Sequence, residues 1–243
     1  MLINLRNALM AGKRWKNPYV TDGLVAMWDG EWNAGGGVHT TERVCKNLVS
    51  DNYHGTVGSG VEIGNNYFGF NGVRNINNSI QLGNSWFGKP EHLTCEVCLV
   101  SDGAGDQSQQ CAFGGTEGGD SGISYFSNNI QCRGSYTSGA AATTRFDLGY
   151  SWLGTSQAQT LSLSIGAEGC FVCKNGVIVA NKIGGTVDWT KTVRQCFIGC
   201  DAFNPTEYHL NGKVYSVRFY SRAFTTSEIA ANYAIDRARF GLP

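Results

Sequence analysis

The stretch Asn211-Gly-Lys-Val-Tyr-Ser-Val-Arg-Phe-Tyr-Ser-Arg-Ala-Phe-Thr-Thr-Ser-Glu-Ile-Ala-Ala-Asn-Tyr-Ala, residues 211–234, decides the fold. In its first half Tyr215, Val217 and Phe219 alternate with more polar neighbours. An alternation of period two is typical of a strand with one buried face. The first half therefore predicts a strand whose apolar side faces a core.

The second half of this stretch predicts a helix. Thr225 and Glu228 have the spacing of a capping box, in which each side chain bonds a free backbone N–H of the first turn. Ile229 and Tyr233 lie four residues apart on the predicted helix, and Gly241 follows its expected end. Because the chain upstream looks like β-structure, this helix is expected to close an all-β domain.

Short strand patterns separated by turn signals fill the rest of the chain. Residues 24–28 predict a first strand, and residues 29–40 predict a glycine-rich loop. Residues 93–100 predict a core strand with alternate apolar positions, and Asn175-Gly176 marks the tip of a hairpin. About a dozen such strands without crossover helices favour a two-sheet antiparallel β-sandwich.

Four segments carry a resemblance to a known family. They are residues 217–233 in the stretch quoted above, Thr21-Asp-Gly-Leu-Val-Ala-Met-Trp-Asp-Gly30, Asn33-Ala-Gly-Gly-Gly-Val-His39 and Cys45-Lys-Asn-Leu-Val-Ser-Asp-Asn-Tyr-His-Gly55. Together they resemble the laminin-G-like jelly rolls of the concanavalin A-like superfamily over residues 21–240. The resemblance implies a jelly-roll β-sandwich with a short C-terminal helix. It leaves the function open between lectins, hydrolases and structural modules.

Composition limits the classes of partner. The 243 residues contain 19 Lys and Arg against 19 Asp and Glu, so the overall charge steers the chain toward neither nucleic acid nor membrane. No apolar run approaches the ~20 residues of a membrane helix, and no signal peptide is apparent at the N-terminus. We expect an arm at residues 1–20, which anchors or oligomerises the protein, and one jelly-roll domain at residues 21–243. A partly ordered tail is the alternative for residues 1–20.

The nine cysteines are an odd number, and without an export signal they are expected to be free thiols. Cys95-x-x-Cys98 and Cys170-x-x-Cys173 have the spacing of zinc half-sites. Both pairs fall in predicted strands, where residues three apart point to opposite faces. Buried thiols are therefore favoured over zinc.

Signs of catalysis are few. Glu96 stands alone on its predicted strand, whereas related glucanases carry two carboxylates a few residues apart. The chain has no Gly-x-Ser-x-Gly elbow and no phosphate loop, and its four histidines are scattered. We predict that the protein is not an enzyme; a glycoside hydrolase with an unrecognised site stays open as an alternative.

Aromatic residues beside turns suggest carbohydrate binding, because sugars stack on exposed rings. Trp32, Trp86, Trp152 and Trp189 each adjoin turn residues and are the predicted carbohydrate-binding residues. Alternatively, each plugs an end of the sandwich. Trp28 lies within a predicted strand and is expected in the core.

Calcium is a possible cofactor, since members of the wider superfamily often bind it. The candidate ligands are Asp29, beside the glycine-rich loop, Asp51 and Asp201. Asx-turns at these acids are the alternative.

We predict a non-enzymatic adhesion module that recognises carbohydrate as part of a phage virion, in a tail fibre, head fibre or decoration protein. Assembly in the bacterial cytoplasm and release by lysis reconcile a surface-binding role with the missing export signal. The expected partners are a glycan or bacterial cell surface, other virion proteins and further copies of the chain. A purely structural decoration protein is the alternative. We also expect the arm to lie near the final helix, with the Trp-bearing loops at the opposite end.

Overall fold

A computed structural model describes most of the chain. The described residues are 17–34, 42–83, 90–103, 110–117, 121–126, 129–135, 143–147, 156–167, 169–182, 186–187, 196–201 and 205–243. They form a two-sheet antiparallel β-sandwich with a C-terminal helix, which confirms the predicted fold class. Residues 1–16 of the predicted arm lie outside them, and the domain boundary at residue 21 stays a prediction.

The elements are numbered in chain order. The strands are β1 (Leu24–Asp29), β2 (Val44–Cys45), β3 (Gly55–Val57), β4 (Glu62–Ile63), β5 (Phe68–Asn71), β6 (Ile80–Leu82), β7 (Leu93–Ser101), β8 (Cys111–Glu117), β9 (Ser121–Phe126), β10 (Asn129–Ser135), β11 (Thr143–Asp147), β12 (Gln159–Ile165), β13 (Cys170–Lys174), β14 (Val177–Lys182), β15 (Thr186–Val187), β16 (Cys196–Ile198) and β17 (Asn211–Tyr220). The helices are α1 (Gly30–Ala34) and α2 (Thr226–Phe240), with a 3-10 turn at Ile76–Asn78.

In the described part of the chain, the first sheet has the strand order β14-β13-β12-β7-β17-β5-β4, and β1 also pairs with β17. The second sheet has the order β11-β10-β9-β8-β16-β6-β3-β2, and β15 pairs with β10. The long strand β17 is central because it pairs with β7 on one side and with both β1 and β5 on the other.

The inner faces of the two sheets enclose the core. Val97 of β7 stands in register with Leu161 on one side and Val217 on the other, and all three are fully buried. Trp28 of β1 is fully buried in the same core, as the sequence predicts, and its ring lies 6.5 Å from that of Phe113 in the second sheet. Aliphatic and aromatic burial of this extent is the main source of stability.

The alternation predicted for β17 fails at one residue. Val217 and Phe219 face the core as expected, but Tyr215 is only partly buried and lies on the outer face. The pairing of β17 with β7 shifts register between Val214 and Ser216. A bulge inserts an extra residue and reverses the side of each position before it, so Val214 takes the core position instead of Tyr215.

Two further local predictions have different outcomes. The segment predicted as a loop at residues 29–40 begins with the end of β1 and the short helix α1, and residues 35–40 lie outside the described part. The hairpin is confirmed: Asn175 and Gly176 join β13 to β14 with φ of 51° and 79°. Such positive angles suit the turns that match the twist of paired strands.

Helix α2 begins and ends as predicted. Thr225 is its N-cap, its hydroxyl accepts from the Glu228 N–H, and the Glu228 carboxylate accepts from the Thr225 N–H. Gly241 ends the helix in the left-handed conformation, with φ of 68°. The helices in the described residues are too short or too polar to span a membrane.

The thiols are buried, and the two Cys-x-x-Cys pairs are split between sheet faces. Cys95 and Cys170 belong to the core between the sheets, whereas Cys173 packs with Tyr220 under α2. Eight cysteines are free and buried, and the side chain of the ninth, Cys132, lies outside the described set. Opposite strand faces keep the two thiols of a pair from sharing a metal ion.

Glu228→Gln should make the protein less sensitive to acid. Hydrogen bonds from Arg222 and Thr225 lower the pKa of Glu228 from 4.5 to about 2. Its ionised form therefore stabilises the fold above pH 4.5, and this stabilisation is lost as the pH falls toward 2. At pH 7 we expect the variant to lose roughly 0.5–1 kcal/mol of unfolding free energy. The loss is small because the Arg222–Glu228 pair is partly exposed. Urea unfolding at several pH values measures it.

The difference in unfolding free energy between wild type and Glu228→Gln should shrink as the pH falls. A difference that does not change with pH would contradict a stabilising role for the ionised Glu228. Glu91→Gln is the matched control, since Glu91 is an exposed glutamate outside the helix cap.

A thiol reagent such as DTNB should label at most one cysteine rapidly in the native protein. Burial raises the pKa of Cys45, Cys98 and Cys111 well above the ordinary value and keeps the reagent away. All nine should react in urea. Two or more fast thiols in the folded protein would contradict this packing.

Candidate functional site

A buried guanidinium lies on the outer face of the first sheet. Arg218 of β17 has no exposed side-chain surface, and its Nε donates to Glu96 Oε2 on β7 at 2.9 Å. Its Nη1 and Nη2 donate to the two carboxylate oxygens of Asp236 in α2 at 2.8 and 2.6 Å. Such a bidentate pair fixes both distance and orientation. Arg218, Glu96 and Asp236 form the Arg218 cluster, which joins the final helix to the sheet.

The segment before the first strand completes one side of the Arg218 cluster. The Tyr19 hydroxyl donates to Asp236 Oδ1 at 2.7 Å, and the Tyr19 ring lies 4.1 Å from the Arg218 guanidinium carbon. Thr160 donates to the other oxygen of Asp236 at 2.8 Å. The predicted proximity of the N-terminal segment and the final helix is confirmed for these residues.

Asn232 of α2 completes the other side. Its Nδ2 donates to Glu96 Oε2 at 2.7 Å and to the Tyr220 hydroxyl at 3.0 Å, and its Oδ1 accepts from the Val20 N–H at 3.0 Å. Ser162 donates to Glu96 Oε1 at 3.0 Å. Both oxygens of each carboxylate in the Arg218 cluster are thus hydrogen-bonded, which buried charges require.

The Arg218 cluster is structural. Burial raises the pKa of Glu96, and the Arg218 charge opposes that rise. Perturbed carboxyl groups often mark catalytic sites, but the side chains of Glu96 and Asp236 have no exposed surface on which a substrate could land. Their hydrogen-bonding capacity is used to hold α2 on the sheet.

A second ion pair connects α2 to the end of β1. Arg239 donates to Asp29 Oδ2 and Oδ1 at 2.9 and 3.0 Å, to Glu31 Oε2 at 2.8 Å and to the Tyr19 hydroxyl at 2.6 Å. Burial raises the pKa of Asp29, and Arg239 opposes the shift. Calcium needs six to eight oxygen ligands. Asp29 instead holds the chain's own guanidinium, and this arrangement does not fit a calcium ligand.

The other two predicted calcium ligands differ in exposure. Asp51 is exposed, and Asp201 is buried beside β16. The described residues contain no group of three or more His, Cys, Asp or Glu side chains placed to hold a metal. A role for Asp51 or Asp201 in calcium binding stays a prediction.

An open groove lies on the outer face of the first sheet, beyond the part that α2 covers. Its volume is about 240 Å³. It runs across β4, β5, β17 and the end of β7, and is lined by Gly60, Glu62, Gly69, Phe70, Asn71, Asp102, Gly212 and Lys213. We call these residues the outer groove. Gly69 and Gly212 are buried here, and a Cβ on Gly69 would come within 2.9 Å of Glu62, whereas one on Gly212 would overlap the Val100 carbonyl oxygen.

The outer groove presents hydrogen-bonding groups of both kinds. Glu62 Oε1 accepts from the Tyr67 hydroxyl at 2.8 Å, and its Oε2 lies over Gly69, where a Cβ would come within 2.9 Å. Asp102 adds an exposed carboxylate, and Asn71 an amide whose Oδ1 accepts from a backbone N–H. The Lys213 ammonium lies 4.6 Å from the Tyr67 ring centre.

A row of partly exposed aromatic rings leads from the outer groove to α1. Tyr67 packs edge-on against Tyr215 at 6.3 Å between ring centres, and Tyr215 lies 5.0 Å from Phe240 at the end of α2. The guanidinium carbon of Arg239 then lies 4.6 Å from the Phe240 ring and 3.8 Å from the Trp32 ring. We call Tyr67, Tyr215, Phe240 and Trp32 the aromatic row.

One of the four predicted carbohydrate-binding residues, Trp32, belongs to this surface. Its ring stacks on Arg239 of the final helix, so it lies on the helix side of the domain. The expectation that the Trp-bearing loops lie at the opposite end is wrong for Trp32. Trp86, Trp152 and Trp189 lie outside the described residues, and their assignment stays a prediction.

Sequence reasoning missed most of this surface. Glu62 and Asp102 are forty positions apart and meet only through the pairing of β4, β5, β17 and β7. A signal existed for Lys213 and Tyr215, which stand two apart on β17 and point away from Val214, a core residue. The bulge conceals that signal. Simple alternation with Val217 and Phe219 predicts Tyr215 in the core, and the sequence does not show that the register shifts between them.

Solved structures share the fold at low sequence identity. Domain 4 of AbnA, an extracellular arabinanase from Geobacillus stearothermophilus solved with arabinotriose, matches with a TM-score of 0.62 and 13% identity over 86% of this chain and 98% of that one. Trypanosoma rangeli sialidase with sialic acid matches with a TM-score of 0.60 and 18% identity. The match covers 95% of this chain and 37% of that enzyme. The binding domain of Paraclostridial Mosquitocidal Protein 1 matches with a TM-score of 0.58 and 14% identity, over 87% of this chain and 52% of that one.

These likenesses show a shared β-sandwich fold. No protein-family model matches the sequence, and no curated protein matches it either. The laminin-G-like resemblance stays a prediction.

Asp236→Asn should destabilise the protein by about 3–5 kcal/mol, because it leaves a buried guanidinium short of negative charge. The amide would also turn an N–H toward a donor of Arg218. Urea unfolding measures the change. Glu31→Gln is the matched control: it removes a carboxylate from an arginine pair whose acid is 45% exposed, and it should cost about 0–1 kcal/mol. Equal losses in both variants would contradict a central role for the Arg218 cluster.

Proposed function

We propose that the protein is a non-enzymatic carbohydrate-binding module and that the outer groove and the aromatic row form its binding surface. One observation carries this proposal. Exposed carboxylates, an amide and an ammonium line the same open groove, and two tyrosine rings adjoin it. Binding sites combine a few polar groups that fix orientation with aromatic surface that supplies contact area.

The chemistry of this surface suits a sugar. A pyranose or furanose presents hydroxyl groups around its edge and C–H groups on its faces. Glu62 and Asp102 accept hydrogen bonds from hydroxyls, whereas Lys213 and the Asn71 amide can donate to them. Tyr67 and Tyr215 offer rings beside these groups. Six of the eight residues that line the outer groove lie on β4, β5 and β17, so few groups need to be ordered on binding, which lowers its entropic cost.

The structural neighbours support the proposal. The arabinanase domain was solved with arabinotriose and the sialidase with sialic acid, and the mosquitocidal fragment is a binding domain. Sandwiches of this kind therefore occur in proteins that were solved with bound sugars.

The non-enzymatic part rests on where the carboxylates lie. The buried acids Glu96 and Asp236 are sealed by Arg218 under α2. Glu62 and Asp102 are exposed in an open groove, whereas a glycosidase raises the pKa of its acid by enclosing it. A place in a phage virion, and oligomerisation through residues 1–20, stay predictions from the sequence.

Tyr215→Ala and Tyr67→Ala should each weaken glycan binding by about tenfold, since each removes a ring contact of roughly 1 kcal/mol or more. A glycan array identifies the ligand of the wild type, and calorimetry on the best ligand compares the variants. Trp32→Ala tests whether the ligand extends along the aromatic row.

Tyr233→Ala is the matched control. Tyr233 is also partly exposed, but it contacts the β13–β14 turn at Gly176. Glycan binding that survives both Tyr67→Ala and Tyr215→Ala would move the site elsewhere. No binding to any glycan would favour the structural alternative. Release of reducing ends from a bound polysaccharide would show a hydrolase.

A further inference from the structure

We infer that the outer groove selects uncharged, hydroxyl-rich sugars and discriminates against sugars that carry a carboxylate or a sulfate. This inference rests on the proposed function and adds the chemical class of the ligand.

The charged side chains of the outer groove are acidic on balance. Glu62 and Asp102 are both exposed, and Lys213 is the single basic residue among the described residues that line it. An anionic sugar would bring a third negative charge into a groove that has one positive charge. Like charges brought together across a binding surface oppose association, and this is a common source of specificity.

Hydrogen-bonding capacity points the same way. An ionised carboxylate only accepts hydrogen bonds, so Glu62 and Asp102 require donors from the ligand. Sugar hydroxyls are donors, and a hydrogen bond to an ionised acceptor is stronger than a neutral one. The Tyr67 hydroxyl already donates to Glu62, which fixes the orientation of this carboxylate. A ligand carboxylate or sulfate would place an acceptor against an acceptor.

The guanidinium beside the aromatic row is already paired, and the ammonium of the outer groove keeps its N–H donors but shares that groove with two carboxylates. The Lys213 ammonium lies over the Tyr67 ring, and Tyr67 is bonded to Glu62. Arg239, beside Phe240 in the aromatic row, donates to Asp29 and Glu31. Recognition of carboxylate and sulfate usually relies on an arginine with free N–H groups. The surface therefore has its guanidinium directed inward and its carboxylates directed at the ligand.

Matched pairs of probes test the selectivity. The array should contain lactose with sialyllactose, methyl-esterified with free oligogalacturonides, and desulfated with sulfated galactans. Within each pair, we expect the wild type to bind the uncharged sugar at least about tenfold more tightly than the charged one. A tenfold difference in affinity corresponds to one like-charge contact. Binding to the uncharged ligand should change little with salt, since no net charge is neutralised.

The double variant Glu62→Gln and Asp102→Asn separates charge from shape. It keeps the side-chain size, so we expect weaker binding of the uncharged ligand and a selectivity ratio that moves toward one. Lys213→Met is the control, because it leaves both carboxylates in place and should not strengthen the binding of acidic ligands. Both changes lie at partly or fully exposed positions, and unchanged urea midpoints would confirm folding.

The failures are distinguishable. If the strongest ligands are acidic and Lys213→Met abolishes their binding, the inference is wrong and the proposed function stands. If the double variant leaves the ratio unchanged, the carboxylates do not select and the inference is again wrong. Binding to neither member of any pair, nor to any other glycan, overturns the proposed function and the inference with it.

Discussion

Arg218 carries its positive charge where water does not reach, and this constraint organises the first sheet. An unpaired buried charge is prohibitively costly. Here two carboxylates surround it, one from the adjacent strand and one from the final helix. The helix is therefore required by the sheet: without Asp236, the guanidinium on the outer face would have half its counter-charge. Tyr19 closes the same cluster, which ties the start of the domain to its end.

This requirement divides the outer face of the first sheet into two parts. One strand, β17, runs through both. Its Ser216–Tyr220 half lies under α2, whereas Lys213 and Tyr215 face outward beside the open groove. The register shift between these halves lets a single strand carry buried and exposed outer positions at the spacing each needs. Phe240, at the end of the helix, contacts Tyr215 and marks the border.

Local signals in the sequence were sufficient for the elements but not for the outer face. The capping box at Thr225 and the Asn175-Gly176 turn involve neighbours in the chain, so their patterns identify them. The alternation of β17 places Arg218 on the outer side, yet a polar outer residue looks the same whether solvent or a helix covers it. Glu62 and Asp102 share no pattern at all, because strand pairing alone brings them together.

The division of β17 also separates stability from recognition. Residues under the helix stabilise the buried charge of Arg218 through a full set of hydrogen bonds, so a substitution there changes the stability of the fold. Positions in the outer groove are exposed and can change their chemistry at small cost to the fold. Arg239 is the residue that belongs to both parts: it bonds buried Asp29 and also supports the rings of Phe240 and Trp32. Loss of helix docking would therefore remove Phe240 from the aromatic row and take the Arg239 support from Trp32, while Glu62 on β4 and Asp102 just after β7 would stay in the outer groove.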